Sequence, residues 1–443
     1  MLTFLAYGMV VTFMTLIMTK RLSPLTALIL VPTAFGLFAG FTTELGPMML
    51  EGIRTLAPTG IMLMFAILYF AIMLDAGLFE PFVRRLVALV HGDPVKVVIG
   101  SAVLALFVSL DGDGSTTYMI TTAAMLPLYR RLGLRPLVLG CVTMVAGGVM
   151  NLLPWGGPTA RAASALAVDV NAVFVPMIPA LLGGVVWTLV LAWRLGVAER
   201  TRLRALAGDL AGDGSAELLL ATGAMDTMEA PLLPPRPDRL WVNAALTAAL
   251  LVALVVGVLP LPVLFMMAFA IALLVNYPGI PAQKQLLARH AGNALAVSGL
   301  IFAAGIFTGI LSGTKMVDAI ANSVIRLVPE PLGPYLAVVT GVLSVPFTFF
   351  ISNDAFYFGV LPILAKAGAV YGITPVEMAR ASLVGQPVHL LSPLVPSTFL
   401  LVGLLGVEFD EHQKFTLRWS LVATAVLLLM TLVTFVVPLR GVL

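Results

Sequence analysis

The chain has 443 residues, 60% hydrophobic and 11% charged, with a net charge of +3. A soluble protein carries about 25% charged residues, so the composition excludes a soluble globular fold and places the chain in a bilayer. Leu, Ala, Val and Gly run continuously instead of alternating, which excludes a membrane β-barrel and leaves helices, whose backbone groups pair within the segment.

In chain order, apolar runs fall near 2–19, 22–41 and 59–79. A run at 95–129 follows, cut at Asp111 to Gly114. The next, 136–168, is cut near Pro154 to Pro158, and 173–193 closes the first half. The stretch 194–238 mixes acidic and basic residues with Ala, Gly and Pro and reads as the one long soluble loop. Runs at 240–258, 261–276 and 294–313 open the second half. Then come 334–370, cut at Ser352 to Asp354, and 375–406, cut near Ser392 to Pro396, before a last run at 418–438. Lys20 and Arg21 follow the first apolar run, so that run is expected to be a span and not a cleaved signal. The single cysteine, Cys141, excludes a disulfide framework within the chain and is expected to pack between helices.

Both halves read as three spans, an interrupted pair, a broken span and a last span. If 95–129 and 334–370 are re-entrant hairpins and the 194–238 loop is cytoplasmic, most basic residues gather on that face. Lys20, Arg21, Arg84, Arg85, Arg130, Arg131, Arg135, Arg200 and Lys284 are among them. Both chain ends then lie outside, and the second half is inverted relative to the first. The expected division is a first repeat over 1–193, a cytoplasmic linker over 194–238 and a second repeat over 239–443. Asn151-Leu152-Leu153 aligns with His389-Leu390-Leu391, Pro158 with Pro396 and Thr159 with Ser397. The basic residues follow topology and form no patch, so no nucleic-acid partner is expected.

Polar residues and broken helices at membrane depth, repeated in both halves, build a central site for a charged solute. Asp111 and Asp113 carry the strongest signal, since a carboxylate at bilayer depth costs about 2.5–3.5 kcal/mol on insertion scales. They need water, a cation or a proton; the other reading is a turn wetted at the interface. Gly112 and Gly114 allow a tight turn, and Ser115, Thr116 and Thr117 open the returning helix with hydroxyls and free N–H groups. Ser352, Asn353 and Asp354 sit at the matching turn, and Asp354 offers a second proton or cation site.

In the later breaks, Gly157 and Thr159 flank freed backbone groups beside Asn151 and Trp155, with Gln386, His389, Ser392, Ser397 and Thr398 opposite. Arg161 reads either as a carboxylate clamp or as a residue snorkelling to the outer interface. Glu408 to His412 resembles a metal cluster but is expected to be a solvated loop. Asp111-x-Asp113 leaves open an intramembrane aspartate-dependent enzyme, a rival to transport.

The segment Val108-Ser109-Leu110-Asp111-Gly112-Asp113-Gly114-Ser115-Thr116-Thr117 resembles the citrate–divalent-metal–proton symporters, the CitMHS family of the ion transporter superfamily. Phe350 to Asp354 and Asn151 to Pro158 support the resemblance, which covers essentially the whole chain. It implies an all-α polytopic inverted-repeat transporter with two re-entrant hairpins, two broken helices, and scaffold and transport domains. It also implies a homodimer in the cell (inner) membrane that imports citrate as a divalent-metal complex with protons, by an elevator-like motion. No cofactor is expected to be permanently bound; the metal travels with the substrate and meets Asp113 and Asp354. Related sodium-coupled carriers have Ser-Asn-Thr at both hairpin tips, whereas Asp354 here replaces Thr and Asp113-Gly114-Ser115-Thr116 occupies the first tip. Extra carboxylates suit protons or a substrate-borne metal better than two sodium sites. Another exchanger or channel of the same superfamily is the alternative within transport.

Overall fold

A computed structural model describes residues 2–90, 92–112, 114–210, 239–327 and 330–441. Asp113 and the linker positions 211–238 therefore lie outside the described residues. Helices account for the architecture, with no strand among the described residues. The first half holds α1 (Leu2–Met18), α2 (Pro24–Phe38), α3 (Leu45–Asp75), α4 (Glu80–Leu89), α5 (Pro94–Val108), α6 (Gly114–Arg131), α7 (Pro136–Met150), α8 (Gly157–Ala165) and α9 (Val170–Leu210). After it come α10 (Leu240–Val256), α11 (Leu261–Asn276), α12 (Ile280–Gly313), α13 (Met316–Leu327), α14 (Leu336–Phe350), α15 (Leu361–Ala369), α16 (Pro375–Ser382), α17 (Gln386–His389), α18 (Pro396–Leu405) and α19 (Phe409–Val433). Six of the described helices are long and apolar enough to cross a bilayer, and several shorter apolar helices accompany them.

The longest helix pairing is α3 against α12. It rests on glycines, because a Cβ on Gly52 would overlap the Gly305 carbonyl and one on Gly309 would overlap that of Met48. Small residues let helix backbones approach in lipid, where packing takes over from the hydrophobic effect. Beside this pair, α10 and α11 are joined by reciprocal 2.9 Å amide bonds between Asn243 and Asn276, both buried. Tyr69 of α3 reaches Thr247 at 2.9 Å.

A second group gathers α5, α6, α7 and α9 with α14 and α16–α19. α5 lies against α6 across the first turn, and α14 against α15 across the second. α7 meets α17 closely, since a Cβ on Gly148 would come 2.5 Å from Pro387 Cα.

Several boundaries differ from the sequence expectation. α3 starts at Leu45, not near 59, and its added first turns lay Gly52 along α12. Two amphipathic helices, α4 and α13, occupy stretches expected to connect spans. α9 continues through Leu210 into the expected loop. It is held there by Glu199, whose fully buried carboxylate meets Arg135 Nε at 2.6 Å and Arg202 Nη2 at 2.8 Å. Arg200 Nη2 also donates to both oxygens of Asp93, the N-cap of α5, and holds that carboxyl below the usual carboxylate range. The second broken span is interrupted twice, at Leu383–Gly385 and again at Leu390–Val395. Glu408 is exposed just before α19, Asp410 and Glu411 are exposed in its first turn, and His412, in contrast, is buried against Gly140 and Thr416. Cys141 is free and buried, as expected of a packing residue.

Candidate functional site

The first turn begins where α5 tightens into a single 3-10 turn, Ser109–Asp111. Gly112 then takes φ +80°, the left-handed region that glycine enters without a Cβ penalty. A Cβ there would also lie 2.9 Å from Trp155 Cδ1, so the position excludes side chains twice over. The Trp155 indole N–H donates to Leu110 O at 2.9 Å and satisfies a carbonyl that the turn frees. Trp155 is itself buried between Phe70 of α3 and Phe265 of α11, with ring centroids 5.3 and 5.5 Å away. Ser109 Oγ and Thr117 Oγ1 share a 3.2 Å hydrogen bond across the turn. Gly114, where α6 starts, faces Ser397 of α18: a Cβ would sit 3.6 Å from its Oγ. Asp111 is buried, and Asp111, Ser115 and Thr116 each have interacting neighbours.

The second turn is built differently. α14 ends at Phe350 and Ile351 is extended, with φ −117° and ψ 159°. Ser352 Oγ then accepts the Ala355 N–H at 3.1 Å, and Ala355–Val360 forms a π-helical turn before α15. Such wide turns are frequent at functional sites. The π turn packs on α8, and there Arg161 Nε donates to Asp354 Oδ1 at 2.6 Å. The two side chains are 21% and 13% exposed, too buried for either charge to stand alone. Gly157 makes room for the guanidinium, since a Cβ there would lie 2.5 Å from Arg161 Nη1.

A neutral polar string joins the two breaks beside this pair. Asn151 Nδ2 donates to Gln386 Oε1 at 3.2 Å. Gln386 Nε2 donates to Tyr357 OH at 2.9 Å and reaches Asn353 Oδ1 at 3.4 Å. Gln386 is fully buried, so it fixes the relative position of α7, α17 and the second turn. Each break also spends a threonine on its own backbone: Thr159 Oγ1 donates to Asn151 O at 3.2 Å, and Thr398 Oγ1 to Leu390 O. His389 Nδ1 lies 2.7 Å from Thr348 O, and Ser392 Oγ donates to Phe349 O at 2.6 Å, tying the second break to the end of α14.

The structure thus brings Asn151, Gly157, Arg161, Asn353 and Asp354 together around Gln386. Ser352 acts as the local cap. Thr117, Thr159, His389 and Thr398 are engaged in turn and break hydrogen bonds, and Ser397 faces the first turn. The sequence does not single out Tyr357, or Gln386 as the joint of the site; a glutamine in an apolar stretch just before Pro387 is the signal it offers. Among the described residues, no three His, Cys, Asp or Glu side chains gather as a resident metal site. The chemistry offered is a paired cation and anion, the cation carried by α8 and the anion by the second turn.

Comparison with known proteins agrees with this architecture. The family described as citrate transporter, CitMHS, matches residues 13–385. Over 427 residues the chain is 55% identical to "Citrate transporter" of Bacillus subtilis (strain 168), covering 96% of this chain and 97% of that protein. It is 52% identical over 429 residues to "Mg(2+)/citrate complex secondary transporter" of the same organism, with the same coverage. The crystal structure of the Alcanivorax borkumensis YdaH transporter aligns over 99% of both chains with a TM-score of 0.57. At 16% identity, that likeness speaks for the fold alone.

Proposed function

Because this chain belongs to the CitMHS citrate transporter family, we propose that it imports citrate as a complex with a divalent metal, by proton symport. It is a multi-pass membrane transporter and not an enzyme. The observation that carries the finer reading is the Arg161–Asp354 pair beside the Asn151–Gln386–Asn353 string, where the second turn and both breaks converge. Free citrate at neutral pH is close to a trianion, and its complex with a divalent metal is close to a monoanion. Such a complex presents carboxylates to a guanidinium and to helix N-termini. It also presents a hard cation that takes oxygen ligands and keeps several waters. A relative named for the Mg(2+)/citrate complex supports this cargo.

In this reading Asp111, Asp113 and Asp354 carry the proton or meet the metal, and Ser115, Thr116 and Ser397 line the first-turn side. The two halves are inverted repeats, with 95–129 and 334–370 as re-entrant hairpins, 136–168 and 375–406 as the broken helices and 194–238 as a cytoplasmic linker. Both ends lie outside. The group around α5–α9 and α14–α19 is the transport domain, and the group around α3, α10, α11 and α12 is the scaffold through which the chain dimerises. Alternating access comes from the first sliding against the second.

The test is uptake of labelled citrate into proteoliposomes, scanned across divalent metals with and without an imposed pH gradient. Accumulation that needs both a metal and the gradient is expected; uptake indifferent to both overturns the reading. Asp113→Asn is expected to abolish the proton-driven component or shift its pH profile.

A further inference from the structure

We infer that Arg161 and Asp354 form a closed charge pair that the opposite charges of a metal–carboxylate complex replace together, so that the site selects the complex over the bare anion and the free cation. The inference rests on the metal–citrate reading and deepens it.

The pair is one-pronged. Arg161 Nε donates to Asp354 Oδ1, and neither Nη group of Arg161 nor Oδ2 of Asp354 bonds to any other described residue. A structural arginine–carboxylate pair commonly closes as a two-pronged fork; this one leaves the outward-reaching donors and one carboxylate oxygen uncommitted. None of these atoms is among the sealed, unpartnered polar atoms of the interior, so they face accessible space. Gly157 leaves Nη1 the room to lie where it does, since a Cβ there would come 2.5 Å from it. The uncommitted atoms are of two kinds, nitrogen donors for carboxylate and an oxygen ligand for a hard cation.

Separating the pair strands two largely buried charges, 21% and 13% exposed. One-sided rupture of a buried pair is strongly unfavourable. A bare anion that takes Arg161 leaves Asp354 uncompensated, and a free cation that takes Asp354 leaves Arg161 uncompensated. A complex carrying both charges compensates both. The pair therefore couples the metal and anion halves of the cargo, and ligand couplings of this kind run to about 5–150-fold in affinity.

The experiment measures binding of labelled citrate to the purified full chain in nanodiscs, with Mg²⁺ or with a chelator, alongside its thermal unfolding midpoint. Wild type is expected to bind citrate at least about tenfold more tightly with Mg²⁺, within the range of such couplings. Asp354→Asn is expected to bring that ratio below about threefold while retaining binding of bare citrate. Asp354→Glu, which keeps the charge, is expected to keep the ratio. A wild-type ratio surviving in Asp354→Asn overturns the inference and leaves the metal–citrate reading intact. Failure of wild type to bind citrate with any divalent metal overturns that reading and the inference with it. Should Asp354→Asn not fold, the double variant Arg161→Gln/Asp354→Asn strands no charge. It is expected to lose the Mg²⁺ dependence; retention there overturns the inference.

Discussion

The two turns border the same pair of helix breaks but are held by different physics. The first is fixed by neutral contacts: a glycine in the left-handed region, an indole N–H on Leu110 O, and an aromatic stack reaching α3 and α11. The second is fixed by an ion pair to α8 and a glutamine bridge to α7. A neutral anchor holds its geometry whatever the charge of the cargo. An ionic anchor can be competed away by a charged cargo. In the proposed reading the second turn is therefore the one whose anchor the cargo displaces, and the first is a fixed frame from which Asp111 meets the metal or proton.

Substitutions at four positions would break or sharpen that contrast. Arg161→Ala should have the largest effect. It removes the carboxylate donor and leaves Asp354 buried and unpaired, a loss of about 3–5 kcal/mol for one-sided removal. Metal–citrate uptake in proteoliposomes should fall at least about 100-fold, each tenfold being about 1.4 kcal/mol; near-normal uptake would leave the second turn with no recognition role. Trp155→Ala should destabilise by about 3–5 kcal/mol through lost aromatic packing, seen in the thermal midpoint, while Trp155→Phe should lose only about 1 kcal/mol for the indole hydrogen bond. If instead the Trp155 variants alter metal selectivity without altering stability, the division of labour between the turns is wrong.

Gln386→Leu should cost about 1–3 kcal/mol by orphaning the Asn151 amide and removing the donor to the Tyr357 hydroxyl. It should raise the KM for citrate several-fold more than it lowers kcat; an unchanged KM would detach the glutamine bridge from the site. Ser352→Ala should have the smallest effect, about 1 kcal/mol for a lost cap. A two- to threefold weaker citrate affinity, about half a kcal/mol, is the expected reading in a binding titration; a larger loss would mean that the hydroxyl touches the cargo itself.

Much of the site is legible in the amino-acid sequence. Ser109–Thr117, Asn151–Thr159 and Ser352–Asp354 stand out because polar residues and helix breakers are rare in apolar runs, and each interrupts a helix as expected. The aligned threonine hydrogen bonds shift the expected correspondence by one residue: Thr159 with Asn151 O is matched by Thr398 with Leu390 O, not by Ser397. Hidden from the sequence are α4 and α13, whose amphipathic faces look like ordinary loop polarity, and the extension of α9, which depends on Glu199 finding Arg135 across the fold.

By itself the amino-acid sequence determined that the chain is helical, lies in a bilayer and is interrupted within four of its apolar runs, because backbone satisfaction in lipid and the rarity of buried polar residues act locally. Only the tertiary structure decided that Arg161 lies on Asp354 and that Asn151 meets Gln386. These partners are far apart along the chain, and no local propensity specifies which buried charge will compensate which.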